Sequence, residues 1–359
     1  MARPTTVQVD LQALQHNFQL AQSLVPEGRC VAVVKANAYG HGAIPVAKAL
    51  ESMAPAFGVA CIEEADELRR AGISNPILLL EGTFSQEEVV YAAENNYWLM
   101  LGNQQQLDSV VGAVLSQPVK VWLKVDSGMH RLGISPDDVS AYYQQLQASD
   151  NVLDEIVIAT HLACGDELDN TFTDQQIKRF MASVEGLNAP LSISNSSGLL
   201  AWPDARQQWN RPGYMLYGNT PFVGAHEHGD KLRHVMTLSS AVIAVRDIGV
   251  GESVGYAASW TAKRPSKIAT IAVGYGDGYP RHAPSGTPVI VNGKRVPLAG
   301  RVSMDMITVD VTDLADVAVG DEVVLWGKEL TANEVAEWAG TIGYEVLTRM
   351  PLRVPRVYS

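Results

Sequence analysis

Eight short apolar or β-branched runs recur through the first two thirds of the chain, separated by polar segments of helical period. The runs are Cys30–Ala36, Ala56–Ile62, Ile77–Glu81, Trp98–Gly102, Val119–Val125, Glu155–His161, Leu191–Asn195 and Gly213–Gly218. Between them, segments such as Glu63–Ala71, Ser85–Asn95, Asn103–Leu115 and Thr173–Glu185 read as amphipathic helices. Eight strand-plus-helix units over roughly two hundred residues are the pattern of a (β/α)8 TIM barrel. The eighth unit is the weakest, because little clear helix follows it. A doubly wound open sheet is the structural alternative.

Near Leu232 the texture changes. Short strand-like runs follow at Leu238–Arg246, Lys267–Gly274, Pro288–Val291, Lys294–Pro297, Ile307–Val311 and Glu322–Trp326. Turn signals punctuate them, and Asn292-Gly293 between two alternating runs is a strong hairpin signal. The tail therefore reads as a mostly-β C-terminal domain with one helix at Thr331–Ala339. The division falls at 11–232 and 233–359. The opening run Thr6–Asp10, ahead of the helix Leu11–Val25, fits either body, and the division places residues 1–10 with the second.

A chain of 359 residues, 47% apolar and 18% charged, has ample material for a core. Its net charge of −12 argues against a nucleic-acid partner, which calls for a basic face. Cys30, Cys61 and Cys164 are odd in number and fit neither a zinc site nor a disulfide framework, so no metal is expected. The N-terminus has no apolar leader and no run reaches the length of a membrane span, which points to the cytoplasm.

The richest segment is Val31-Ala32-Val33-Val34-Lys35-Ala36-Asn37-Ala38-Tyr39-Gly40-His41-Gly42. A lysine closing an apolar strand is unusual, because a buried ammonium is unfavourable unless paired or neutralised. At the C-terminal end of a barrel strand it faces the mouth where active sites of this fold lie. Desolvation there makes the amine a nucleophile for an aldehyde, and an imine with a cofactor removes the burial problem. Read alone, Lys35 fits either a snorkelling strand-end lysine or a catalytic amine.

This run resembles the cofactor-lysine motif of bacterial alanine racemases, enzymes that use pyridoxal 5'-phosphate on a TIM barrel joined to a β domain. Matching pieces run in the family's order from about Thr6 to Arg356. The resemblance implies interconversion of L- and D-alanine, with Lys35 holding the cofactor and acting as the base on the D face. The opposing base is then Tyr256, in Val254-Gly255-Tyr256-Ala257, reaching the neighbouring subunit's barrel in a head-to-tail homodimer. A free tyrosine titrates near ~10 and needs help as a base, and His161 matches the residue that contacts it. Arg211 matches the partner of the cofactor ring nitrogen; an arginine cannot easily hand over a proton, so the ring stays unprotonated. Arg131 matches the residue near the cofactor oxygen and substrate carboxylate, and Lys124 a lysine carbamylated in many members that holds it. Tyr39, Ser196 and the backbone N–H groups of Gly213 and Tyr214 make the phosphate cradle. Tyr275, Met304 and Asp305 approach the partner's pocket, Met304 near the substrate carboxylate.

Two positions depart from the family pattern. Leu352 stands where some members place a phosphate-touching tyrosine, and Ser192 where some place a histidine behind the ring-facing arginine. Rival readings are a related decarboxylase, a racemase of broader specificity acting on serine or basic amino acids, and a non-catalytic cofactor-binding barrel. The decarboxylase lacks support because every cysteine precedes residue 165. The binding protein lacks it because such barrels have no second domain.

Overall fold

The computed structural model describes residues 3–359. Eight strands form the first sheet: Arg29–Val33, Ala56–Val59, Ile77–Leu79, Tyr97–Leu101, Val121–Lys124, Val157–Ala159, Leu191–Ser192 and Trp209–Asn210. Each of the first six pairs in parallel with the next, and the eighth pairs in parallel with the first. At the remaining seam the Arg211 N–H donates to the Ser194 carbonyl at 3.0 Å. The result is a nearly closed barrel, which removes the open-sheet alternative.

The eighth unit differs from expectation. Gly213–Gly218 is not a strand: Tyr214–Tyr217 is a 3-10 turn closed by Gly218 at φ 79°, and the strand is the shorter Trp209–Asn210. Pro212 has no N–H for a ladder, and the Gly213 backbone turns away at ψ −87°. Tyr214, Met215, Leu216 and Tyr217 are all buried, so their apolar run carries no period by which a strand is told from a helical turn.

Inside the barrel, Val31, Leu78, Met100, Trp122, Val157 and Trp209 form an apolar plug. The Trp122 and Trp209 rings meet edge-on with centroids 5.5 Å apart. A filled interior leaves the C-terminal mouth as the place for chemistry.

The second sheet also has eight strands. Six follow the order Lys294–Pro297, Pro288–Val291, Glu322–Trp326, Met236–Ile248, Thr6–Val9, Arg356–Tyr358; Ser266–Ile271 branches from Met236–Ile248 and pairs on its other edge with Ile307–Asp310. The hairpin at Asn292-Gly293 has positive φ at both residues, 47° and 74°, as a two-residue primed turn requires. Thr6–Val9 sits in this sheet, antiparallel to Met236–Ile248 and parallel to Arg356–Tyr358. The C-terminal domain carries two helices, Ala332–Trp338 and Gly343–Thr348, where the sequence suggests one. The second is six residues long, too short for helical period to register. Among the described residues no helix is long and apolar enough to cross a membrane, and no group of His, Cys, Asp or Glu forms a metal-binding cluster.

Candidate active site

The first barrel strand stops at Val33, so Lys35 stands just beyond the strand rather than closing it. The chain then winds left-handed: Ala36, Asn37, Ala38 and Tyr39 have φ of 52°, 54°, 52° and 51°, and Gly40 follows at 83°. Left-handed backbone costs L-residues roughly 1–2 kcal/mol each, so this turn needs support. The Glu64 carboxylate accepts from the Ala36 and Ala60 N–H groups at 2.7 and 2.8 Å. Asn37 Oδ1 accepts from the Ala43 N–H at 2.8 Å. The turn brings Lys35 and Tyr39 to one cavity of about 910 Å³ at the barrel mouth.

Lys124, Arg131, His161, Ser196, Arg211, Gly213 and Tyr214 line the same cavity. It is a concentration of cations in an acidic protein. Burial, then the charge of Arg131, lowers the Lys35 pKa against the opposing pull of Glu81 and Glu64. Burial, then Arg211, Arg131 and Lys35, lowers Lys124 to about 8, with Asp126 opposing. His161 is held well below its ordinary value, chiefly by burial and then by Arg211, Lys124, Arg131 and Lys35, so its ring is neutral at pH 7. Arg211 falls to about 10 through burial and keeps its charge. Such a site favours anions, and a phosphate with a carboxylate meets that demand.

The Lys124 value has a measurable consequence. A lysine depressed in the folded state lowers stability below its folded pKa, and the loss is recovered between about 8 and the ordinary 10.5. In CO2-free buffer, Lys124→Met should stabilise the fold at pH 7 by about 1–3 kcal/mol. Urea midpoints across pH check this, since the gain should shrink from pH 8 upward and vanish near 10.5.

Arg211 is fixed by neutral oxygens. Its Nη1 donates to the Ser192 carbonyl at 3.0 Å and contacts the Ser192 hydroxyl, and its Nη2 donates to the carbonyls of Thr160 and Ile193. Ser192, the departure noted in the sequence, thus orients the guanidinium directly. Ser196 Oγ accepts from the N–H groups of Gly213 at 3.0 Å and Met215 at 3.2 Å. A Cβ on Gly213 would lie 2.7 Å from the Tyr39 hydroxyl, so only glycine lets that hydroxyl approach the backbone here. Burial pushes Tyr39 up to about 12, which keeps it a protonated donor. The Tyr214 ring stacks on Tyr344 with centroids 3.6 Å apart, and its hydroxyl donates to Asn333.

Tyr256, Tyr275, Met304 and Asp305 are elsewhere. None lines the cavity of its own chain. Tyr256 is 69% exposed on the hairpin of Ser253–Val254 and Trp260–Thr261, and Tyr275 and Met304 are exposed as well. The Gly276 N–H donates to the Met304 carbonyl at 2.8 Å, and the Tyr275 N–H to that of Ser303 at 3.0 Å, which stitches two of these loops together. Asp305 is held by Arg353 at 2.6 Å. Leu352 is exposed and does not line the cavity.

Several cavity residues were not apparent in the sequence. Glu64 caps the lysine turn, Glu81 faces it, and Ile342, Tyr344, Glu345 and Thr348 enter from the unforeseen helix. Gly343, which opens that helix, has no room for a side chain: a Cβ there would lie 2.1 Å from the Tyr214 hydroxyl.

The alanine racemase N-terminal domain family matches residues 9–221, and the alanine racemase C-terminal domain family matches residues 235–358. The chain belongs to the alanine racemase family. An alanine racemase of Pseudomonas taetrolens is 51% identical over 356 residues, covering 99% of both chains. A catabolic alanine racemase of Pseudomonas putida is 51% identical with the same coverage. The crystal structure of a biosynthetic alanine racemase from Pseudomonas aeruginosa superimposes with a TM-score of 0.96 at 46% identity, over 99% of both chains. In this family member, then, the cationic cavity and the exposed Tyr256 face are features of a two-part alanine racemase fold.

Proposed function

We propose that this chain is a cytoplasmic, pyridoxal-phosphate-dependent racemase that interconverts L- and D-alanine as a head-to-tail homodimer. One observation carries the reading. A cavity joins an amine of lowered pKa to a cation-rich anion site, while the second expected base stands exposed and outside it. The residues fit the cofactor: Ser196, Tyr39 and the backbone at Gly213 and Tyr214 suit its phosphate. Arg211, whose hydrogen-bond partners are carbonyls and the Ser192 hydroxyl, suits an unprotonated ring nitrogen. When bound, pyridoxal phosphate supplies an aldehyde for an amine and a conjugated ring that draws off the electron pair released at the α-carbon.

The chain's own groups divide the remaining work. Arg131 binds the substrate carboxylate. The Lys35 amine takes or returns the α-proton on the D face, and a lowered pKa leaves more of it neutral for that task. On the other face the proton moves to or from the hydroxyl of a second copy's Tyr256. The neutral His161 ring offers that hydroxyl an acceptor nitrogen. Lys124, lowered to about 8, has a neutral fraction able to take up CO2, and the resulting carbamate anion holds Arg131 in place. Tyr275, Met304 and Asp305 of the second copy border the entrance and limit side-chain size.

The test is a racemisation assay with pyridoxal phosphate on both enantiomers of alanine, serine, lysine and arginine. Alanine is expected to react with the highest kcat/KM in both directions. A preference for serine or a basic amino acid would overturn the substrate assignment.

A further inference from the structure

We infer that the C-terminal strand Arg356–Tyr358 is a strap that positions Lys35 and Tyr39 by closing the far end of their left-handed turn. The inference rests on the reading of Lys35 as the cofactor lysine.

Four consecutive non-glycine residues at positive φ persist only where their surroundings over-determine them. Glu64 and Asn37 hold the near end of the turn. The far end is held by the last residues of the chain. Arg356 Nε donates to the Gly40 carbonyl at 2.8 Å, and the Tyr358 hydroxyl donates to the His41 carbonyl at 3.1 Å. The fit is close enough to exclude side chains. A Cβ on Gly42 would lie 2.1 Å from the Tyr358 hydroxyl, and one on Gly40 would lie 2.0 Å from the Leu347 carbonyl. These two glycines, at φ 101° and 83°, are required both by their backbone and by what presses on them.

The strap is itself fixed. Arg356 and Tyr358 pair with Val7 and Val9, whose strand is bonded in turn to Met236–Ile248. Arg356 also donates to the Met350 carbonyl at 2.9 Å. Beyond the turn, Tyr39 and His41 both stack on Tyr217, with centroids 4.8 and 4.5 Å away, and the Tyr217 hydroxyl donates to Val33 at 2.9 Å. Moving Gly40 or His41 therefore moves the phosphate-side hydroxyl and the reactive amine together. The strap adds no rung to the barrel ladder, so its loss leaves the eight strands paired.

Full-length Arg356→Met, Arg356→Lys and Tyr358→Phe variants, stripped of cofactor and titrated with pyridoxal phosphate, provide the test. Borohydride reduction followed by peptide mass analysis counts the chains attached through Lys35. At saturating pyridoxal phosphate the attached fraction should fall at least threefold in Arg356→Met and recover substantially in Arg356→Lys. Amide exchange should accelerate across Ala36–Gly42 while Arg29–Val33 and Thr6–Val9 keep their protection. Should Arg356→Met fail to fold, Tyr358→Phe, which removes one hydroxyl, decides through the same two measurements. An unchanged Lys35 fraction, or exchange that rises evenly through the protein, overturns the strap. A parent protein that gives no Lys35 adduct overturns the cofactor-lysine reading itself and the strap with it.

Discussion

Lys35→Ala should lower kcat/KM for alanine by about 10^4-fold or more and abolish the visible absorbance of lysine-bound pyridoxal phosphate. Two losses combine in this one substitution. The amine that receives the cofactor aldehyde disappears, and so does the base on the D face. General-base removal alone is worth roughly 10²–10⁴ in rate. Lys35 is singled out among the cations of the cavity because it lies at the start of the strained turn, with its pKa lowered by burial. Lys124 is the control, since it faces the same cavity. Lys124→Met should retain the visible absorbance. An absorbance that survives in Lys35→Ala and vanishes in Lys124→Met would move the cofactor to Lys124.

For Tyr256→Phe the expected result is a qualitative change as well as a slow enzyme. Removing one hydroxyl should lower racemisation about 10²–10⁴-fold. Lys35 would still work on its own face, so the variant should exchange the α-proton of D-alanine for solvent deuterium without forming L-alanine. Proton NMR in deuterated water reads both events at once. Because Tyr256 lies outside its own chain's cavity, mixed dimers give a second reading. A dimer of one Lys35→Ala chain and one Tyr256→Phe chain has one site lacking both bases and one site intact. Statistical reassociation of two nearly inactive proteins should then restore about a quarter of the parent activity. No recovery on mixing, with dimers formed, would place both bases in one chain.

Much of this was legible in the sequence wherever a physical signal was local. Strand-and-helix alternation, the Asn292-Gly293 turn and the apolar approach to Lys35 each declare themselves within a dozen residues. The C-terminal strands follow their expected bounds closely because half-buried antiparallel strands alternate. Gly213–Gly218 misled because burial on every side erases periodicity. The left-handed turn was hidden because Ala36, Asn37 and Ala38 carry no sign of positive φ; their conformation is imposed by Glu64 and by the end of the chain. Arg356 and Tyr358 act on residues more than 300 positions away, a relation no local pattern records. The placement of Ser192 against Arg211 shows the reverse: the departure was visible, but its effect depended on a contact across neighbouring strands.

The strand Thr6–Val9 lies between Met236–Ile248 and Arg356–Tyr358, both made long after it. During synthesis the growing chain can assemble every barrel strand while its opening strand still lacks one neighbour. On the strap reading, the lysine turn takes its final shape only after Arg356–Tyr358 has been made. Cofactor capture then waits on the second domain rather than on the barrel alone. A change at Arg356 or Tyr358 acts on chemistry that the linear map places more than 300 positions earlier.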